Sequence, residues 1–523
     1  MNFARSLFTV SSLTILSRVA GFVRDTLTAT FLGAGPIADA FFVAQRLPNL
    51  FRTLFAEGAF SSAFVPLYTT EHERHGIEAA RKFAGEALAL LLSVLIPFSA
   101  LMMLFMPKVM LVLAPGFQDE PEKFNLAVDF SIIAFPYLAL ISVAALQSGV
   151  LNAHGKFGPG AAAPIALNLV LIIALFVAHH FNLHMGYTLA WALTISGIVQ
   201  MVWLIVSCYR ARVSIPIVFP RLTTAGKRLF QRIAPGAIGA GAGQINLLIS
   251  TILASSLPTG AVSFLFYADR INQLPLGIVG IAVATTLLPL LSREVEAGKE
   301  DSVLHYTSRA IEFCLALGLP ATIGLLFASE YIIQTLFEHG AFTHADTIAT
   351  SQALTAYAIG IPAFLLVKVF TASFFARHNT VTPVKIAVIS MVVNIVLSVA
   401  LLGPLQHIGI ALSNSAALWT NAILLLIGLK QRKIEIMDAK LRQRLPPLIT
   451  SSLAMCAVTY GLVRYLSSWF VGEAAHEVLA LAIIIGCSSL AYGVFLHISG
   501  AMRIHEVLAI LKRKPRISPV SEE

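Results

Sequence analysis

Ten charged residues stand where hydrocarbon is expected. Arg18, Arg24, Arg46, Arg52, Arg270 and Lys368, with Asp25, Asp39, Glu57 and Asp269, lie within or at the edges of long apolar segments. A charge at the centre of a membrane helix costs about 2.5–3.5 kcal/mol on insertion scales, so such groups face a bundle interior or a wet cavity and mark function. Helical spacing orders them. Arg18, Gly21 and Asp25 share one face, flanked by Ser17 and Arg24; Asp39, Arg46, Asn49 and Arg52 form a second stripe. Tyr267 pairs in register with Arg270, and Asp269 with Gln273. Three polar stripes that avoid lipid converge on one water-filled cavity, and six bases against four acids leave it cationic. An excess of guanidinium suits phosphate, which arginine grips with two parallel hydrogen bonds. Any single charge can instead be half of a buried ion pair that fixes helix packing, or can reach a headgroup. That plainer reading weighs most for Arg46, Glu57 and Lys368.

The elements that must hold these residues follow from composition. Apolar residues make up 57% of 523 and charged residues 12%, about half the charge of a soluble domain, with a mean hydropathy of +0.81. Apolar runs of about 20 residues recur along the chain, each long enough to cross a bilayer as a helix. They are too long and too uniform for barrel strands, so the expected fold is an all-α polytopic membrane protein. The N-terminal run is broken by Arg18, Arg24 and Asp25 and reads as a retained first helix, not a cleaved signal. Cys208, Cys314, Cys456 and Cys487 have no pairing or metal-ligand spacing and read as packing residues.

Fourteen spans are expected, near 6–32, 37–66, 86–113, 127–151, 160–180, 186–209, 230–256, 262–291, 309–329, 350–376, 383–402, 407–429, 446–469 and 476–498. With the termini and even-numbered loops on one side, that side collects 27 of the 36 basic residues, and the other holds only Lys108, Lys123 and Arg464. The asymmetry places both termini in the cytoplasm. The net charge of +9 then belongs to loops facing anionic lipid, not to a nucleic-acid surface.

At an offset of 224 residues, Arg46 maps onto Arg270, His154 onto His378 and Pro159 onto Pro383. The offset spans six helices and preserves orientation, as in parallel repeats. The expected organisation is an N-lobe over 1–209, a basic cytoplasmic linker over 210–229 and a C-lobe over 230–429. A basic cytoplasmic loop over 430–445, two extra helices over 446–498 and a basic tail over 499–523 follow. The two six-helix lobes would surround the central cationic cavity. The loops at Pro115-Gly116-Phe117 and Glu338-His339-Gly340 are candidate gates. His179, His180 and His184 read as interfacial residues rather than a metal site. No phosphate-cradling glycine loop is present, and no cofactor is called for. Transport energy would come from the membrane potential or a monovalent cation gradient.

Several blocks resemble the MurJ (MviN) family of lipid II flippases: SRVAGFVRD (Ser17 to Asp25), ADAFFVAQRLPNLFRTLFAEGAFSSAFVP (Ala38 to Pro66) and APGF (Ala114 to Phe117). LNAHGKF (Leu151 to Phe157), YADRINQLPLGIVGIAVATTLLP (Tyr267 to Pro289) and TPVKIA (Thr382 to Ala387) extend the likeness through about the twelfth span. The resemblance implies the fold of the multidrug/oligosaccharidyl-lipid/polysaccharide exporter superfamily. It implies a substrate, undecaprenyl-pyrophosphate-linked disaccharide-pentapeptide, carried from the inner to the outer leaflet of the bacterial cytoplasmic membrane by a chain acting as a monomer. It implies substrate-binding roles for Arg18, Arg24, Arg52, Arg270 and Asp39, and it places Asp25, Glu57 and Asp269 inside matching motifs; these three, with Ser17, Arg46 and Asn49 of the polar stripes, are candidate cavity or gating residues. Spans 446–498 would form a groove for the lipid. Some members bind sodium in the second lobe; Pro235 stands here where an acid would serve that purpose better, and no metal site can be assigned. A flippase for another polyprenyl-pyrophosphate glycan shares these features. A drug or ion antiporter of the superfamily would instead show excess acid and aromatic walls. A membrane glycosyltransferase would need carboxylates or metal ligands on an outward loop.

Overall fold

The computed structural model describes residues 3–53, 59–220, 229, 244–471 and 474–500. Among the described residues there is no strand; the chain is helix joined by short turns. The helices are α1 (Phe3–Leu32), α2 (Pro36–Arg52), α3 (Ala59–Leu104), α4 (Met106–Leu113), α5 (Pro121–Ala134), α6 (Tyr137–Ala153), α7 (Gly158–His180) and α8 (Met185–Arg210). There follow α9 (Gln244–Ser255), α10 (Ala261–Glu296), α11 (Glu300–Phe337), α12 (His344–Ala358), α13 (Ile361–Phe375), α14 (Val381–Gln431), α15 (Ala439–Leu466) and α16 (Ala474–Ile498).

Ten described helices are long and apolar enough to cross a membrane by length and composition. The 51-residue α14 covers two of the fourteen expected spans, because its helical backbone breaks at Gln406 (φ 48, ψ −130), two residues after Pro404. α1, α2 and α9 correspond to the remaining three. α3 likewise joins two helices across Gly76, whose φ of 81 suits a residue without a Cβ. The fold is therefore all-α and polytopic.

The described chain divides into two compact units, Met1–Phe266 with Phe337–Asp346, and Tyr267–Leu336 with Thr347–Glu523. In the first unit α1 packs on α7, α7 and α6 on α8, α3 on α6, and α2 on α5. Small residues let these helices approach: Gly186 of α8 sits against Phe130 and Ile37, and Gly149 of α6 against Phe64. One core joins Phe64, Tyr68, Phe83 and Ala84 of α3 to Leu146 and Val150 of α6 and Leu204 and Cys208 of α8.

In the second unit α13 packs on α14, and α15 on α16. The last pair is tied to α11 at three levels. The Tyr492 hydroxyl donates to the Ala316 carbonyl at 2.9 Å, and Gln334 Nε2 donates to the Phe470 carbonyl at 2.7 Å. Near the start of α11, Arg309 pairs with Glu312 and with Asp438, and Arg444 reaches Glu312 at 2.6 Å. Asp438 also caps α15 by accepting from the Leu441 amide at 2.7 Å.

Candidate functional site

α1 carries the first polar cluster. Adjacent residues on a helix do not ordinarily face each other, yet the long Arg24 stem curls back on Asp25. Arg24 donates twice to Asp25 Oδ1, from Nε at 3.0 Å and Nη2 at 2.6 Å. Its third contact is Nη1 to Asn168 Oδ1 of α7 at 3.0 Å, and Asn168 Nδ2 donates in turn to the Ser17 carbonyl at 3.0 Å. Gly21 lets Asn168 lie close, since a Cβ there would stand 3.4 Å from its amide nitrogen. Ser17, Arg24 and Asp25 are thus assembled around one α7 amide. Asp25 is buried and Arg24 nearly so, whereas Arg18 is exposed on the same helix.

On α2, Arg52 Nε donates to Asn49 Oδ1 at 3.2 Å, and both residues, like Arg46, are half-buried. Glu57 lies outside the described residues.

Asp39 has a different setting. It stands in the first turn of α2, and its carboxylate closes the N-terminus of α10. Oδ2 accepts from the Gly260 amide at 2.7 Å, and Oδ1 from the Ser263 amide at 2.9 Å and hydroxyl at 2.6 Å. Helix N-termini present amides and a positive dipole, so a carboxylate from another helix is a strong partner there. Lys123 of α5 supplies the counter-charge, its Nζ 3.2 Å from Asp39 Oδ2. Both side chains are all but sealed, at 2% and 1% exposure. Lys123 also donates to Thr259 Oγ1 at 3.0 Å, stands 3.5 Å from Glu120, and lies 4.4 Å over the Phe117 ring. One turn along from Asp39 and Ser263, Phe42 and Phe266 stack with centroids 3.9 Å apart. Asp39 and Ser263 are 224 residues apart, as are Phe42 and Phe266, the same offset that relates Arg46 to Arg270.

The two candidate gating loops meet this same end of the first unit. Gly340 (φ +61) lies so close to α1 that a Cβ would come within 2.4 Å of the Thr30 carbonyl oxygen, and the Ala341 amide donates to that oxygen at 2.8 Å. Gly116 is similarly close to the end of α9, where a Cβ would meet the Ser255 carbonyl oxygen at 2.3 Å. Both loops are packed, not open.

In the second unit Gln273 Nε2 donates to Asp269 Oδ2 at 2.5 Å, and Asp269 and Arg270 are half-buried. Lys368 on α13 stands 4.9 Å over the Phe364 ring. No group of three or more metal-ligating side chains occurs among the described residues.

Lys123, Asn168 and Ser263 are the site residues that side-counting of charge passed over. In the sequence Lys123 reads as a loop cation, because nothing local separates a sealed lysine from a solvated one. Asn168 did carry a signal, an amide inside the otherwise apolar 160–180 run.

With this geometry in hand, a family model described as lipid II flippase MurJ matches residues 28–480. The chain belongs to the MurJ family. A probable lipid II flippase MurJ of Rhizobium meliloti (strain 1021) is 44% identical over 471 residues, covering 89% of this chain and 88% of its own. One from Rhizobium tropici is 40% identical over 534 residues, covering 100% and 99%. A solved MurJ structure, in an inward closed conformation, superposes with a TM-score of 0.78 at 27% identity, covering 94% of this chain and 98% of that one. An inward-facing multidrug resistance transporter of the MATE family matches at a TM-score of 0.68 and 13% identity, a likeness of fold alone. The chain is thus a multi-pass protein of the bacterial inner membrane and, as a member of this family, a transporter rather than an enzyme.

Proposed function

We propose that this chain carries lipid II from the inner to the outer leaflet of the bacterial cytoplasmic membrane by alternating access. The observation that carries the reading is Arg24, a guanidinium within a membrane helix that α1 and α7 hold in a fixed orientation. Asp25 neutralises it at rest, so an arriving pyrophosphate exchanges one anion for another instead of meeting a bare charge. Arg18, Arg52 and Arg270 are the further guanidinium groups of this reading. The polyprenyl tail stays in lipid, with α15 and α16 as its guide.

The end carrying Asp39, Lys123 and the packed loops faces outward, and both termini face the cytoplasm. In the present conformation Asp39 acts by closing that end: both carboxylate oxygens are engaged with α10. Opening requires the α10 N-terminus to leave Asp39, with Lys123 keeping Glu120 as a partner. The energy comes from the membrane potential or a monovalent cation, worth about 2.3 kcal/mol per charge per 100 mV. The chain works as a monomer, without a cofactor or nucleic acid.

The test depletes the resident flippase of a bacterium and supplies this chain. Lipid II should leave the inner leaflet and growth should resume, and Arg24→Ala or Arg270→Ala should abolish both. Restoration of growth by both arginine variants would rule out the anion-clamp mechanism. Accumulation of a different polyprenyl-linked glycan, with lipid II unaffected, would reassign the substrate.

A further inference from the structure

The segment after α8, residues 213–220, is neither helix nor strand and lies against α3. Arg81 Nε donates to the Ser214 carbonyl at 2.8 Å. At Gly85 a Cβ would come within 2.5 Å of the Pro216 carbonyl oxygen, so the strap lies nearer to α3 than any other residue there would allow. Val213 is buried, and Ile215 packs on the core built by Phe83, Ala84 and Cys208. Pro216 and Val218 face Gly85. Ile217 and Phe219, by contrast, are 97% and 87% exposed. Two large apolar side chains at that exposure need an apolar partner.

Their depth identifies it. α8 crosses the membrane and ends at Arg210. α3 turns from charged to apolar between Arg81, Lys82 and Glu86. The strap touches α3 at Gly85 and leaves α8 three residues after Arg210, so it runs at the border between hydrocarbon and water. Arg210 and Arg212 precede the apolar pair. Apolar side chains that follow two bases at that depth fit an anionic leaflet.

We propose that residues 213–220 form an interfacial anchor: Ile217 and Phe219 enter the headgroup–acyl border of the inner leaflet, and the flanking arginines bind anionic headgroups. The start of the connector between the two repeats is thereby fixed both to α3 and to the lipid. A protein partner is disfavoured because the strap leaves a helix that is long and apolar enough to span the membrane and touches α3 where that helix turns from charged to apolar.

The anchor is testable by spin labelling the full chain at Ile217→Cys, with the four native cysteines replaced by alanine. A second label at His75→Cys, an exposed position near the Gly76 bend, serves as the aqueous control. In vesicles of phosphatidylethanolamine and phosphatidylglycerol, the label at 217 should be more accessible to oxygen than to an aqueous nickel complex, with the order reversed at 75. Arg210→Gln with Arg212→Gln, or phosphatidylcholine in place of phosphatidylglycerol, should shift 217 toward the aqueous pattern. A label at 217 that matches 75 in the anionic vesicles overturns the anchor. If neither the arginine variants nor the lipid exchange changes the pattern, recognition of anionic headgroups is overturned. Shielding from both reagents in native membranes, with an aqueous pattern in vesicles, would assign the strap to a protein instead and overturn the proposal.

Discussion

Lys123 holds its ammonium 3.2 Å from the Asp39 carboxylate with both side chains closed off from solvent, at the point where α2, α5 and the N-terminus of α10 meet. Removing one member of a buried pair strands the other charge, at about 3–5 kcal/mol. Lys123→Met should therefore lower the unfolding temperature of the purified protein clearly. Adding Asp39→Asn to it should recover part of the loss, since the stranded charge is then gone. Equal losses in the single and double variants would show that the two residues are not coupled.

Arg24 makes contacts that a lysine cannot reproduce, because three of its nitrogens are engaged in two directions. Arg24→Lys should fail almost as completely as Arg24→Ala in clearing lipid II from the inner leaflet. Asn168→Ala removes two hydrogen bonds of about 0.5–1.5 kcal/mol each and should give partial clearance. Full activity in Arg24→Lys would mean that charge alone suffices.

These two clusters mark what could be read along the chain and what could not. Arg24 and Asp25 are conspicuous because a charge in hydrocarbon is expensive wherever it points, so the α1 stripe could be identified from type and spacing. Their partner Asn168 is 144 residues away from Arg24, and only folding brings it there. Asp39 was legible as an intramembrane acid, but its role as the cap of α10 depends on backbone amides, which every residue has and no sequence pattern displays. The spans themselves were legible because lipid forces each to satisfy its own backbone. The sequence predicts a gap between two spans around Gln406, whereas the structure carries helix up to that residue on both sides.

Two glycines with similar backbone angles separate strain from crowding. Gly298 has φ +68 and open space around its missing Cβ, while Gly340 has φ +61 and the Thr30 carbonyl oxygen in the way. Gly298→Ala should cost about 1–2 kcal/mol, the left-handed penalty alone. Gly340→Ala should cost more, because the loop must also lift from α1. Thermal unfolding of the two variants side by side is the measurement, and equal losses would mean that the loop gives way freely.

His154, in the turn between α6 and α7, shares a hydrogen bond of 3.1 Å with the Tyr68 hydroxyl. Burial, then the neighbouring His72 and Lys156, holds its imidazole below the usual 6.5. The folded chain therefore takes up this proton later than the unfolded chain as pH falls. Its contribution to stability is complete above about pH 6.5 and is lost as pH drops towards the folded-state value. The unfolding temperature should fall between about pH 7.5 and about pH 5.5, and by less in His154→Asn. An identical pH profile in that variant would assign the acid sensitivity elsewhere.

Asp39 against Ser263 and Phe42 against Phe266 are contacts between positions one repeat length apart. In a dimer of two identical half-length chains, a position lying on the dyad can touch only itself. Phenylalanine tolerates that arrangement, since two rings stack whether or not they come from one gene copy. Aspartate does not: two carboxylates facing each other across the dyad would repel, and neither would have a hydroxyl to receive. In a single chain the two positions can differ, one carrying the acid and the other a serine at the head of a helix. The latch is thus an asymmetry that a single chain can hold and a symmetric pair of identical halves could not.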